Sequence, residues 1–240
     1  MKTQKPVLFF DAAYTLIKPR AKLGEIYAEV ARRFNHNPNP EALTAQFSPV
    51  FHDLKRVRTR PVGVPETPEE TRGYWSAVIA EIFRRAGEPL PPEPYTRELF
   101  DEFTTDHCWL PYSDAAATLE QLRERGYFLG VLSNFDFRLE RLLQNLGLDT
   151  RVDAVVASFQ NGFEKPDINA YRSAAACFFG VSSFSMIGDH WGDDVQGALN
   201  AGWNAVWVDR DGVMSTAPEN HSGNVPHVRK LADLLELFPA

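Results

Sequence analysis

At 240 residues, 44% of them hydrophobic, the chain can bury a substantial core, which argues against disorder and suits one large domain or a domain carrying an insertion. Its formal charge of -7 supplies no basic footprint for a phosphodiester backbone, so nucleic acid is not an expected partner, whereas a small anion held locally remains open. The two cysteines, Cys108 and Cys177, form no metal-type or redox-type pair, which points to a reducing compartment and to two buried thiols.

In chain order, the apolar run Val7–Phe10 reads as a first strand and stops at Asp11. That run is too short for the core of a signal peptide, and no stretch reaches the roughly 20 apolar residues of a membrane-spanning helix. A cytoplasmic protein without membrane partners is expected, and no sequence feature specifies an oligomeric state. From Pro19 to His107 the pattern turns helical, with stretches at Leu23–Phe34, Thr71–Ala86 and Tyr95–Thr104. Proline-dense joints fall at Asn35–Pro40, Arg60–Pro68 and Gly87–Pro94. Lys55, Arg56, Arg58 and Arg60 read as a solvated helix face, with a substrate's second anionic group as the competing assignment. Tyr74, Trp75 and Phe83 read as core of this insertion.

Beyond the insertion, Ala117, Leu119 and Leu122 mark a helix face between Asp114 and Arg125, and Gly126 sits where a left-handed terminating residue belongs. Phe128–Leu132 follows as a strand. Leu139, Leu142, Leu143 and Leu146 give the next helix, ending at Gly147, and Val152–Ala157 the strand after it, which completes a right-handed βαβ unit. Ser183–Ile187 and Ala205–Val208 are two further strands. The fold class expected is α/β, a Rossmann-like parallel sheet core over residues 1–16 and 109–240 with an inserted all-helical cap domain over 17–108.

Ligands of open parallel sheets bind beyond the carboxyl ends of the strands, so the residues there carry the chemistry. The first strand ends in Asp11 and the second in Ser133 and Asn134. Glu164, Lys165, Pro166 and Asp167 follow the third, and Gly188, Asp189, Asp193 and Asp194 follow the fourth. Carboxylates gathered around a single lysine raise one another's pKa and repel, and a divalent cation relieves the conflict. Oxygen donors from Asp11, Asp189 and main-chain carbonyls suit Mg²⁺, which also accepts substrate phosphate oxygens.

The run Asp11-Ala12-Ala13-Tyr14-Thr15, then Leu132-Ser133-Asn134, then Lys165-Pro166-Asp167, then Gly188-Asp189 through Asp194, resembles the four ordered motifs of the haloacid dehalogenase (HAD) superfamily. The resemblance implies that Asp11 is a nucleophile forming an aspartyl-phosphate, with Ser133 and Lys165 holding the transferring group and Thr15 and Asn134 joining them in substrate binding. It implies Mg²⁺ held by Asp11, Asp189 and the main-chain carbonyl of Ala13, with Asp194 supporting the metal from behind. A small phosphorylated substrate follows.

One position departs from the pattern. Phosphatases of the family carry a second Asp two residues after the nucleophile, as general acid and then base, and here that residue is Ala13. The loss amounts to roughly 10²–10⁴ in rate, or about 3–5 kcal/mol of transition-state stabilisation. Tyr14 also replaces the glycine common at its place. His190 and Tyr14 are candidate substitutes for the missing acid. Asp193 and Asp194 both suit a first helical turn, and Asp136 suits a helix cap. Three functions stay open: a weak phosphatase-type hydrolase, a 2-haloacid dehalogenase, and a phosphate-ligand sensor or interaction protein that has lost turnover.

Overall fold

Val7–Phe10 (β1) is buried at all four residues and hydrogen bonds to a neighbour on each side, which is why its sequence is uninterrupted apolar rather than alternating. The structure is a computed structural model describing residues 5–59, 61–210 and 225–240. Contacts divide the chain into two units: Met1–Lys18, Gly63–Pro65 and Pro111–Ala240 form one, and Pro19–Val62 with Glu66–Leu110 the other. The divisions fall two residues beyond the expected boundaries at 16/17 and 108/109. They lie within two three-residue strands, Ile17–Pro19 (β2) and Trp109–Pro111 (β3), which pair with each other and are too short to register as periodicity. The short stretch Gly63–Pro65 also groups with the first unit, where the Gly63 N–H donates to the Gly162 carbonyl at 3.1 Å.

The second unit is four helices: Leu23–Arg32 (α1), Pro40–Val57 (α2), Pro68–Ala86 (α3) and Pro94–Glu102 (α4). Three of them begin on a proline, whose fixed φ and missing N–H suit a first helical position. Asn39 caps α2, and Thr67 with Glu70 forms a capping box on α3, which Gly87 ends in the left-handed region. Tyr27, Val50, Ile82, Phe83, Tyr95 and Leu99 fill the interior, and the Tyr95 hydroxyl is satisfied by the Tyr27 carbonyl at 3.1 Å. Phe83 is therefore core, while Tyr74 and Trp75 are half-buried. The expected basic helix face is only partly present, because α2 stops at Val57. Arg58 turns away to pair with Glu66 and lies over the Tyr74 ring, 4.1 Å from its centroid. Arg60 lies outside the described residues.

In the first unit, Ala115–Glu124 (α5) leads to Leu129–Ser133 (β4), then Leu139–Asn145 (α6) to Ala154–Ala157 (β5). Ser158–Asn161 (α7) and Ile168–Ala175 (α8) precede Phe184–Gly188 (β6). A π-helical turn, Trp191–Gln196, and Gly197–Asn200 (α9) then lead to Asn204–Val208 (β7). His227–Val228 (β8) and Leu234–Leu237 (α10) complete the described order. The six strands form one parallel sheet in the order β5-β4-β1-β6-β7-β8. The chain runs outward from β1 to β4 and β5, then returns to the other side of β1, so the strand order reverses beside β1. Phe9, Phe184 and Trp203 pack beneath the sheet with Tyr171, their ring centroids 4.9–6.5 Å apart. Cys108 is buried as expected, but Cys177 is exposed, because it falls just past the end of α8 with its thiol over the Ser173 carbonyl.

Candidate active site

β1 and β6 are adjacent, with Phe10 opposite Ile187, so the residues after them, Asp11 and Gly188-Asp189, emerge side by side. The Asp11 N–H donates to the Ile187 carbonyl at 2.8 Å and extends the pairing into the site. β4 lies on the other flank of β1 and ends in Ser133, which is buried. Lys165 arrives from the loop after α7, and its peptide bond to Pro166 is cis. The Lys165 ammonium is buried and bridges two carboxylates, donating to Asp11 Oδ1 at 2.7 Å and to Asp194 Oδ1 at 2.5 Å.

Asp194 reaches this point because the π-helical turn carries it there. Its Oδ2 accepts the His190 N–H at 2.9 Å, and its side chain lies over Gly188 so closely that a Cβ there would stand 2.3 Å from Asp194 Cγ. Extra-residue turns of this kind recur where a helix must present a functional group. The Tyr171 hydroxyl donates to the Asp193 carbonyl and ties the turn to α8. Asp189 is held twice: Thr15 Oγ1 donates to its Oδ1 at 3.0 Å, and the Trp207 indole donates to its carbonyl at 3.0 Å.

Oxygens of Asp11, Asp189 and Asp194 lie within 4.8 Å of one another. Burial pushes the Asp11 carboxyl up, a shift that Lys165 opposes and the Asp194 charge reinforces. Burial, reinforced by the charges of Asp11 and Asp194, pushes Asp189 up to about 8. Burial works against the Lys165 charge, but its two carboxylate partners more than offset it and keep the ammonium protonated. Three carboxylates against one ammonium are thus under-compensated, and their hard oxygen donors fit a small divalent cation. Ala13 sits in the tight loop behind Asp11, where the Tyr14 N–H donates to the Ile17 carbonyl and Tyr14 adopts φ 62°.

Several residues are placed differently from their expected uses. Asn134 grips the main chain of Lys165, accepting its N–H at 2.7 Å and donating to its carbonyl at 2.8 Å, and its amide also reaches Asp193 Oδ2 at 3.4 Å. The Thr15 hydroxyl is likewise committed to Asp189. His190 Nδ1 accepts the Asp193 N–H at 3.0 Å, so the imidazole caps the turn through that nitrogen. Asp136 accepts the Arg138 N–H at 3.1 Å and pairs with its guanidinium, a local turn ahead of α6. Arg210 lies two residues past β7, the strand end next after that of β6, and no motif marks it in the sequence.

Residues 6–202 match the haloacid dehalogenase-like hydrolases. The chain is 31% identical over its whole length to haloacid dehalogenase-like hydrolase domain-containing protein 3 of Mus musculus, covering 94% of that protein. It is 36% identical to a phosphoserine phosphatase of Thermus thermophilus, over 71% of this chain and 68% of that one. Among solved structures, the L-2-haloacid dehalogenase RSc1362 superposes with a TM-score of 0.73 at 23% identity, covering 99% of this chain and 100% of the other, a likeness of fold. With a family match across most of its length and a full-length relative at this identity, the chain belongs to the haloacid dehalogenase-like hydrolase family.

Proposed function

We propose that this protein is a Mg²⁺-dependent hydrolase of phosphatase type acting on a small phosphorylated metabolite, with Asp11 as nucleophile. The cluster of Asp11, Asp189 and Asp194 within 4.8 Å carries the reading, since three under-compensated carboxylates suit a cation and, without one, would repel any anionic substrate. Asp11, Asp189, the Ala13 carbonyl and, from behind, Asp194 would hold the metal. When bound, Mg²⁺ neutralises charge on the phosphoryl oxygens. An Asp11 carboxylate oxygen attacks phosphorus as the bond to the leaving oxygen breaks, and water then attacks phosphorus to release phosphate and regenerate the carboxylate. Lys165 and the Ser133 hydroxyl donate to the transferring oxygens, and Asn134 holds the lysine's main chain in place.

Ala13 has no proton to give, and His190 is engaged as a cap. Leaving groups that need no proton, as in aryl and acyl phosphates, therefore suit the site best, and alkyl phosphates turn over slowly. The similarity to a phosphoserine phosphatase supports phosphoryl chemistry. A second reading, 2-haloacid dehalogenase, draws on Ala13, because that reaction needs no second Asp, and on the fold likeness to a dehalogenase. The carboxylate cluster weighs against it.

The test is Mg²⁺-dependent phosphate release from aryl, acyl and sugar phosphates by wild type, Asp11→Asn and Ala13→Asp. The phosphatase reading expects release that disappears in Asp11→Asn and rises about 10²-fold or more in Ala13→Asp. Chloride release from 2-chloropropionate without Mg²⁺ would instead establish the dehalogenase, and metal-dependent phosphate binding without turnover would establish a sensor.

A further inference from the structure

A largely sheltered cation stands behind the nucleophile loop, outside the carboxylate cluster. Arg210 lies two residues past β7. Its Nη1 donates to both carboxylate oxygens of Asp114, at 2.7 and 3.0 Å, and its Nη2 donates to the Thr15 carbonyl at 2.8 Å. The guanidinium lies on the Tyr112 ring, 3.9 Å from the centroid. Its anchors are themselves fixed: Asp114 Oδ2 also accepts the Leu231 N–H at 2.8 Å, and the Tyr112 N–H donates to the Leu16 carbonyl at 2.9 Å. The ion pair is largely sheltered from solvent, with side-chain exposures of 9% for Arg210 and 19% for Asp114.

Thr15 faces two ways in this arrangement. Its carbonyl takes the arginine, and its hydroxyl donates to Asp189 Oδ1 at 3.0 Å. The buried Arg210 Nε–H has no hydrogen-bond partner among the described residues, an unfavourable contact for a buried donor. The side chain is thus set by its terminal nitrogens and its flat face at some cost, and lysine, with no planar fork, cannot reproduce that placement.

We propose that Arg210 is a positioning residue for the metal site: by holding the Thr15 main chain it sets the hydroxyl that orients Asp189. This rests on the reading of Asp189 as a Mg²⁺ ligand. Outer partners of a metal ligand change affinity about 10- to 100-fold when removed, and a contact one bond network further out acts at or below the lower end of that range.

The experiment is a calorimetric titration of the full chain with Mg²⁺ alone, for wild type, Arg210→Lys, Thr15→Val and the double variant, with urea unfolding of each as a separate measure of stability. Thr15→Val is expected to weaken Mg²⁺ binding about 10-fold and Arg210→Lys about 3-fold or more. In the Thr15→Val background, Arg210→Lys should add nothing, because its influence passes through the hydroxyl already removed. Wild-type affinity in Arg210→Lys, or effects that simply add, overturns the positioning role while leaving the metal site intact. No Mg²⁺ binding by wild type overturns both. Should Arg210→Lys fail to fold, Asp114→Asn removes the charge that orients the guanidinium and must show the same loss and the same dependence on Thr15.

Discussion

At Gly188 the need for a missing side chain is set by the carboxylate cluster itself. A Cβ there would lie 2.3 Å from both Cγ and Oδ2 of Asp194, the carboxylate that shares Lys165 with Asp11. Asp194 has little room to yield, because its two oxygens are tied to the Lys165 ammonium and the His190 N–H. Gly188→Ala should therefore cost about 1–3 kcal/mol in urea unfolding, the usual range for overpacking, and should also abolish most of the rise in melting temperature on adding Mg²⁺. A variant that keeps the wild-type Mg²⁺ response would show that Asp194 does not support the metal. That Asp11, Ser133, Lys165, Asp189 and Asp194 gather at one end of the sheet was legible in the sequence, because strand ends can be located from apolar runs. The commitments of Asn134, Thr15 and His190 were not legible. A side-chain amide or hydroxyl beside a site can face substrate or main chain, and only the three-dimensional path of the Lys165 loop and of the turn after Asp189 decides which.

The same division holds for whole elements. The five principal strands could be read within two residues of their ends because buried parallel strands are uninterrupted apolar runs. β2, β3 and β8 span two or three residues and carry no measurable period. Prolines read as breaks between helices turned out to open α2, α3 and α4. At α2 and α3 both statements describe one location, since Asn39 and Thr67, the residues before the opening prolines, are extended, whereas Glu93 before α4 is already helical. The π-helical turn was invisible because a single added residue does not disturb a hydrophobic pattern six residues long. Packing between α1 and α2 supplies a test in which propensity and sterics oppose each other. Gly24 in α1 donates its N–H to Thr44 Oγ1 at 3.1 Å, and a Cβ on it would fall 2.0 Å from the Pro40 carbonyl oxygen and 2.6 Å from the Thr44 nitrogen. Intrinsic helix propensity alone favours Gly24→Ala by about 1 kcal/mol. The contacts are main-chain atoms that cannot rotate away, so sterics should win, with a net loss of about 1–3 kcal/mol in urea unfolding. A stabilised variant would mean that the two helices do not approach so closely.

For the molecule as a whole, the uncompensated carboxylates make stability depend on pH and metal together. With no cation bound, Asp189 titrates at about 8 against 3.8 in an unfolded chain, so between those values the folded protein retains a proton that the unfolded chain has released. The state that binds more protons loses ground as protons become scarce, and the metal-free protein is therefore destabilised by this group as pH rises from about 4 to about 8, by up to about 1.4 kcal/mol per pH unit. Lys165 does not cancel the trend: its folded-state pKa is raised, so it keeps its charge and its contribution throughout this window. A divalent cation must displace the Asp189 proton to bind, so its affinity rises over the same interval and levels off above about pH 8. The increase in melting temperature produced by a fixed, saturating concentration of Mg²⁺ should accordingly be small at pH 6 and largest near pH 8. In Asp189→Asn, which has no proton to release at this position, the dependence should flatten and the metal-free protein should gain stability relative to wild type at pH 8. A Mg²⁺ response independent of pH in the wild type would mean that the carboxylates share their charge with some partner other than a proton or the metal, and would remove the electrostatic reason for placing a cation among Asp11, Asp189 and Asp194.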